Sequence, residues 1–221
     1  MLKLIIGNKA YSSWSLRGWL ACKLSGLAFE EAVVPLYNDE WDMRRAAKDM
    51  APSSGKVPIL WDGDIAVWDS LAIIETLNDL SGGDKFWPAD KAARAMARSI
   101  SAEMHSGFMA LRRAHSMNIR HIYPAVPPSP EVAADIARIM HLWASARALH
   151  GGGGDFLFGD FGAADIMFAP VVTRLTTYSL PIAPFARAYV DAITAHPWMQ
   201  DWIAAAQEEE WVIERFERTA H

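Results

Sequence analysis

Strand signals stop at Gly82-Gly83. Before that pair, short apolar and β-branched runs alternate with helix-length segments; beyond it only helical patterning remains. A pattern of one period does not settle into the other element. A chain divided in this way therefore folds as a small α/β unit followed by an all-helical one.

In the first part, residues 2–6 read as a buried strand, 8–13 as polar loop and 14–25 as a helix stopped by Gly26. Residues 29–34 form a second strand closed by Pro35, and 39–49 a short, charged, amphipathic helix. Strands at 57–61 and 65–67 are joined through Asp62-Gly63, a strong hairpin signal, and 70–80 is a helix stopped by the glycine pair. The order β-α-β-α-β-β-α predicts one mixed four-stranded sheet in two layers. Further helices are predicted over 91–118, 130–149, 163–178, 185–195 and 198–208, punctuated by Pro127-Pro128 and the glycines at 151–154. The expected division is 1–81 for the α/β domain, 82–88 for a linker and 89–221 for the helical domain.

Composition narrows the functions open to such a chain. With 52% hydrophobic and 21% charged residues over 221 positions, there is ample material for a core and disorder is excluded. The net charge of -5 argues against a nucleic-acid-binding face, which needs clustered Lys and Arg. Cys22 stands alone, so there is no disulfide framework and no CxxC pair, as in a reducing compartment. Ten tryptophans point to an apolar cleft or interface lined by indoles. No apolar run reaches the ~18 residues of a membrane span, and the N-terminal run is too short for a signal peptide. A cytoplasmic protein without membrane or nucleic-acid partners is expected. His105, His115 and His121 lack ligand spacing and no HExxH occurs, so no metal is expected.

Three patches in the first part carry chemistry. In Tyr11-Ser12-Ser13-Trp14-Ser15-Leu16-Arg17, a hydroxyl at a helix start can donate to an anion favoured there by the helix dipole; a serine N-cap would look the same. In Ser54-Gly55-Lys56-Val57-Pro58, a cis bond before Pro58 would leave Val57 free to pair through its backbone with an extended peptide; an ordinary loop proline is the plainer reading. In Trp68-Asp69-Ser70, Ser70 can offer its hydroxyl and N–H to a carboxylate and Asp69 can accept from an ammonium, as an α-amino acid head group requires. A plain N-cap again fits.

In this order and spacing, stretches 12–17, 54–60 and 68–77 resemble the cytosolic glutathione transferase family. Residues 159–166 with Pro170 are similar to that family's N-capping box and buried Asp, with Gly162 where Ser or Thr is usual. The first patch is most similar to bacterial serine-type, zeta or maleylacetoacetate-isomerase-like members, with Trp14 where those have Cys. The resemblance implies a thioredoxin-like first domain, glutathione as cosubstrate, a homodimer, and a hydrophobic acceptor site against the helical domain. It also implies roles. Ser12, or alternatively Ser13, would donate to the glutathione sulfur, with Trp14 beside it. Val57, set by Pro58, would pair with the cysteinyl backbone. Asp69 would take the γ-glutamyl ammonium and Ser70 the carboxylate, and Lys56 would reach the glycyl carboxylate. Arg17 is expected in an ion pair near the domain interface. His105, Phe108, Met109 and Arg112 have helical spacing and would share one face toward the small electrophilic substrate, Arg112 or Arg113 receiving a carboxylate. Asp165 is expected to be structural. The function implied is glutathione transfer in detoxification. Basic side chains in the acceptor pocket, with Arg112 and Arg174 the candidates, would favour a maleylacetoacetate-type cis–trans isomerase instead. A non-catalytic ligand-binding module is the alternative of another class, and it has no need of an intact Ser12, Val57, Asp69 and Ser70 set.

Overall fold

The computed structural model describes residues 1–217; positions 218–221, the end of the expected helical domain, lie outside the described residues. Strands β1 (Leu2–Ile6), β2 (Phe29–Val33), β3 (Ile59–Asp62) and β4 (Ile65–Trp68) form one sheet in the order β2-β1-β3-β4. β1 runs parallel to β2 in the register Leu2↔Phe29 to Ile6↔Val33, and β1–β3 and β3–β4 are antiparallel. The sheet is mixed and four-stranded, as the alternation of elements predicts.

Strand alternation decides what each face meets. Leu2, Leu4 and Ile6 pack with Leu60 against Leu16 and Leu20 of helix α1 (Ser13–Ser25) and Ile73, Ile74 and Leu77 of α3 (Ser70–Leu80). Ile5 and Ile59 face the other way, toward Val34, Trp41 and Met50. α1 begins at Ser12, whose extended backbone and hydroxyl cap the first turn, and ends at Gly26 in the left-handed conformation. Gly18 in its middle admits the β3 approach: a Cβ there would stand 2.9 Å from Pro58. The Val57–Pro58 peptide bond is cis.

The expected helix over 39–49 is shorter than its pattern. α2 spans only Trp41–Arg45, and a single 3-10 turn follows at Ala51–Ser53. Tertiary contacts end it: Arg44 clasps Asp49 through two bonds of 2.7 and 2.8 Å, and the Asp49 carbonyl accepts from the Trp61 indole at 3.1 Å.

The helical part contains α4 (Lys91–Ser106), α5 (Met109–Ala114), α6 (Pro130–His150), α7 (Ala163–Thr177), α8 (Ala186–Ala195) and α9 (Pro197–Gln207). α7 is buried at every position except Thr176, and one continuous apolar cluster runs from β1 through α7 to Trp202. A helix buried all round is the axis of its bundle. α7 also packs on α1. The two halves therefore share a core across α1 and α7.

One expected element breaks in two. The single helix predicted over 91–118 ends at Ser106, where Gly107 is extended and Phe108 takes the left-handed conformation at φ 59°. Arg112 turns back to close the gap. Its Nε donates to the Gly107 carbonyl at 2.9 Å, and an Nη donates to the carbonyls of Met104 and His105. A guanidinium thus caps the end of α4, and the Asp135 carboxylate accepts the Leu111 N–H at 2.9 Å. His105, on α4, consequently shares no helix face with Phe108, Met109 and Arg112. Phe108 is buried and Met109 is 47% exposed, so the apolar wall expected of that face is not formed.

Candidate functional site

The start of α1 lies against the helical half, and the two adjacent serines there are used differently. Ser12 Oγ accepts the Ser15 N–H at 3.3 Å and donates to Ser15 Oγ at 2.8 Å, and Ser15 Oγ in turn accepts the Gly7 N–H at 2.9 Å. Its hydroxyl is committed to capping. Ser13 Oγ accepts from an Nη of Arg174 at 3.3 Å. No acceptor for its own proton lies among the described residues. Ser13 is thus the hydroxyl with a donor to give.

Guanidiniums converge on this point. Arg17 is fully buried at the domain interface. Its Nε donates to the Met167 carbonyl at 3.0 Å, while its two Nη groups have no partner among the described residues. The ion pair expected for it is not formed; its tie across the interface is to a backbone carbonyl. The Trp14 ring has the Arg17 guanidinium 4.8 Å from its centroid, Arg112 at 5.0 Å, and the His105 ring edge-on at 5.3 Å. Burial, then Arg112 and Arg174, pull Arg17 well below the ordinary arginine value, with Asp69 acting against them. Arg174 is lowered to about 10, by burial first and Arg112 second, and stays protonated at neutral pH. The potential here favours an anion.

The other two patches lie around it. Val57, whose bond to Pro58 is cis, has neither its N–H nor its C=O paired among the described residues, while Lys56 is exposed. Asp69 sits at φ 74°, in the left-handed half of the map, and its Oδ1 accepts the Leu71 N–H at 2.9 Å as the N-cap of α3. A non-glycine residue held there is a feature of ligand-holding turns. Asp69 Oδ2 lies 3.2 Å from Nε2 of His105, which joins α3 to α4 across the cleft. Burial lowers His105, with Asp69 opposing and Arg17 and Arg112 adding to the fall. Ser70 is completely buried with its hydroxyl unpaired among the described residues.

The structure thus brings Ser12, Ser13, Trp14, Asp69, His105 and Arg112 to one place. Met109 is not part of that grouping. Asp165 lies at the start of α7. Its carboxylate accepts the Gly162 N–H at 2.9 Å and the Leu157 N–H at 3.1 Å, and burial pushes it up to about 6. Sequence reasoning did not find the bond from Arg174 to Ser13. The two positions are far apart in the chain, and no local pattern links them. Burial also pushes the Cys22 thiol up to about 12, so it is no nucleophile. Among the described residues, no group of three or more His, Cys, Asp or Glu could hold a metal ion, and no helix is long and apolar enough to cross a membrane.

Comparison with known proteins agrees with this architecture. The glutathione S-transferase N-terminal domain family matches residues 11–80, and the glutathione S-transferase C-terminal domain family matches residues 129–205. The chain is 27% identical over 186 residues to glutathione S-transferase 1 of Dianthus caryophyllus, covering 83% of this chain and 82% of that one. It is 29% identical over 109 residues to a probable maleylacetoacetate isomerase of Vibrio cholerae, covering 48% of this chain and 51% of that one. A glutathione transferase homologue from Burkholderia GL BGR1, solved with bound glutathione, superposes with a TM-score of 0.67 at 24% identity, over 94% of this chain and 99% of that one. At that identity the likeness carries the fold.

Proposed function

The chain belongs to the glutathione S-transferase family, and on that premise we propose that it activates the thiol of glutathione for attack on small hydrophobic electrophiles. One observation carries this reading. At the N-terminus of α1 the Ser13 hydroxyl accepts from Arg174 and keeps its own proton to donate, while the Arg17 and Arg112 guanidiniums lie against the ring of the neighbouring Trp14, a setting where a thiolate would be stabilised. A free thiol titrates near ~8.5, so only a small fraction is thiolate at neutral pH. Lowering it by about two units corresponds to roughly 2.7 kcal/mol of preferential thiolate stabilisation. Ser13 donates to the sulfur, with Ser12 fixing the helix start. Val57 pairs through its backbone with the cysteinyl residue, Asp69 takes the γ-glutamyl ammonium, Ser70 the adjoining carboxylate, and Lys56 the glycyl carboxylate. The thiolate then forms a carbon–sulfur bond to the acceptor and the leaving group departs with its electron pair. Residues 1–81 form the glutathione-binding unit of a homodimer, for which gel filtration at twice the chain mass is expected.

A second reading has its own support. Arg112 and Arg174 are the basic side chains near Trp14 and Ser13 that an acidic acceptor could use, and the Vibrio cholerae relative, matched over about half of its length, is a probable isomerase. In that reaction the thiolate adds to a conjugated double bond of a maleyl-type diacid. The bond rotates, and elimination returns glutathione unchanged. Retention on immobilised glutathione, followed by assays with 1-chloro-2,4-dinitrobenzene and maleylacetone, separates the readings. Turnover of the first compound supports transfer, and turnover of the second alone supports isomerisation. Binding without turnover of either would make the chain a ligand-binding module, and no retention would overturn glutathione dependence.

A further inference from the structure

The domain interface supplies a residue that acts on the thiol donor. Arg174 lies in the last turn of α7, and its buried guanidinium is fixed by two carbonyls: Nε donates to His115 at 2.9 Å and one Nη to Pro170 at 2.8 Å. The other Nη reaches across to Ser13 Oγ at 3.3 Å. No carboxylate is bonded to it among the described residues. A buried cation held without a counter-charge is costly unless something negative forms beside it.

We propose that Arg174 is a positioning residue for the thiol chemistry: by donating to Ser13 Oγ it turns the serine proton toward the sulfur of bound glutathione and strengthens that hydroxyl as a donor to the thiolate. The inference rests on the reading that glutathione binds at this site. Ser13 can accept from a fixed N–H donor only with its own hydrogen directed elsewhere, and a donor whose oxygen accepts from a cation is the more polarised for it. The charged and titratable groups around the pair are Arg17 on α1, Asp69 at the head of α3, His105 on α4, Arg112 on α5 and Asp135 on α6. His115, whose carbonyl accepts from Arg174, and Tyr178, its ring 4.8 Å from that of His115, also adjoin the pair. A simple brace between α1 and α7 would affect stability and binding alike but would leave the sulfur's titration alone.

The test uses the full chain as wild type, Arg174→Gln, Arg174→Lys, Ser13→Ala and the double variant Ser13→Ala/Arg174→Gln. Calorimetry measures glutathione affinity. The ultraviolet absorbance of the thiolate and the pH profile of kcat/KM measure the bound thiol pKa. Arg174→Gln is expected to keep its affinity while raising that pKa by about one unit, which is roughly tenfold less thiolate on the acid side. The loss should be recovered at high pH. Arg174→Lys keeps the charge but loses the fork, and should show a smaller rise. In the Ser13→Ala background, the Gln substitution should add nothing. An unshifted thiol pKa in whichever Arg174 variant folds would overturn the proposal, as would an equal shift with and without Ser13. Absence of glutathione binding by the wild type would remove the underlying reading, whereas normal binding with an unmoved pKa removes this inference alone.

Discussion

Ser12 and Ser13 are chemically identical neighbours separated by backbone conformation. Ser12 stands outside the helix at φ -90° and ψ 94°, where its oxygen can turn back on the first turn. Ser13 is already helical, and its oxygen is left to Arg174. The two substitutions should therefore fail in different ways. Ser12→Ala removes an N-cap and is expected to lose about 1 kcal/mol of stability, read by denaturant unfolding, with the bound thiol pKa unmoved. Ser13→Ala is expected to lower kcat/KM roughly 10- to 100-fold at neutral pH. That is the scale of one hydrogen bond to a charged atom, and stability should change little. An opposite pattern would move the donor to Ser12. Sequence order could not separate the pair, because the distinction lies in which partner each hydroxyl meets after folding.

Single elements show how far the chain could be read before folding and where reading stopped. The sheet, α1, α3 and α7 were legible because capping residues and apolar periodicity agree locally, as at Ser12, Gly26 and Asp69. The break between α4 and α5 was not. An isolated glycine such as Gly107 costs a helix only about 1 kcal/mol, so the pattern reads straight through it. The decision rests with Arg112 and Asp135, which act through tertiary contact. α7 has a similar lesson at its start. Gly162 stands there because the linker comes close: the Phe86 carbonyl accepts the Ala163 N–H at 2.9 Å and would lie 3.0 Å from a Cβ at 162. Asp165 supplies the other half of the cap. Asp165→Ala leaves two N–H groups without their acceptor and is expected to destabilise by about 2–4 kcal/mol. Its carboxyl also gives stability a pH dependence of defined sign. The folded value, about 6, lies above that of an unfolded Asp, so the folded state holds the proton more tightly. The stabilisation from this group is complete below the unfolded value and fades as pH rises through about 6. Denaturation midpoints across pH 4–7 should show the wild type losing ground to Asp165→Asn over that interval; parallel curves would count against the assignment.

At the scale of the molecule, the loop that presents the serines is held from the far end of the chain. Glu209 accepts the backbone N–H groups of Lys9 at 2.6 Å and Ala10 at 2.9 Å, one on each carboxylate oxygen. The Trp202 indole donates to the Lys9 carbonyl at 3.0 Å, and the Ile119 N–H donates to the Ala10 carbonyl at 3.1 Å. Arg120 anchors the Glu209 carbonyl at 2.7 Å and also reaches the Tyr11 hydroxyl, which donates to Glu217. Every one of these bonds joins the α/β half to the helical half or steadies the segment that does so. The peptide carrying Ser12 and Ser13 therefore takes its geometry from both halves at once. Glu209→Ala should leave two loop N–H groups to water at a cost of about 2 kcal/mol, which for a chain of this size lowers Tm by roughly 4–8 °C. Because the loop leads directly into α1, glutathione affinity should fall in the same variant, whereas Lys3→Ala, at the outer end of β1, should change neither quantity. Calorimetric melting and glutathione titration of the two variants side by side check this. An unchanged Tm in Glu209→Ala would mean that the loop holds its shape from within the α/β half, and the site would then not depend on the helical half for its geometry.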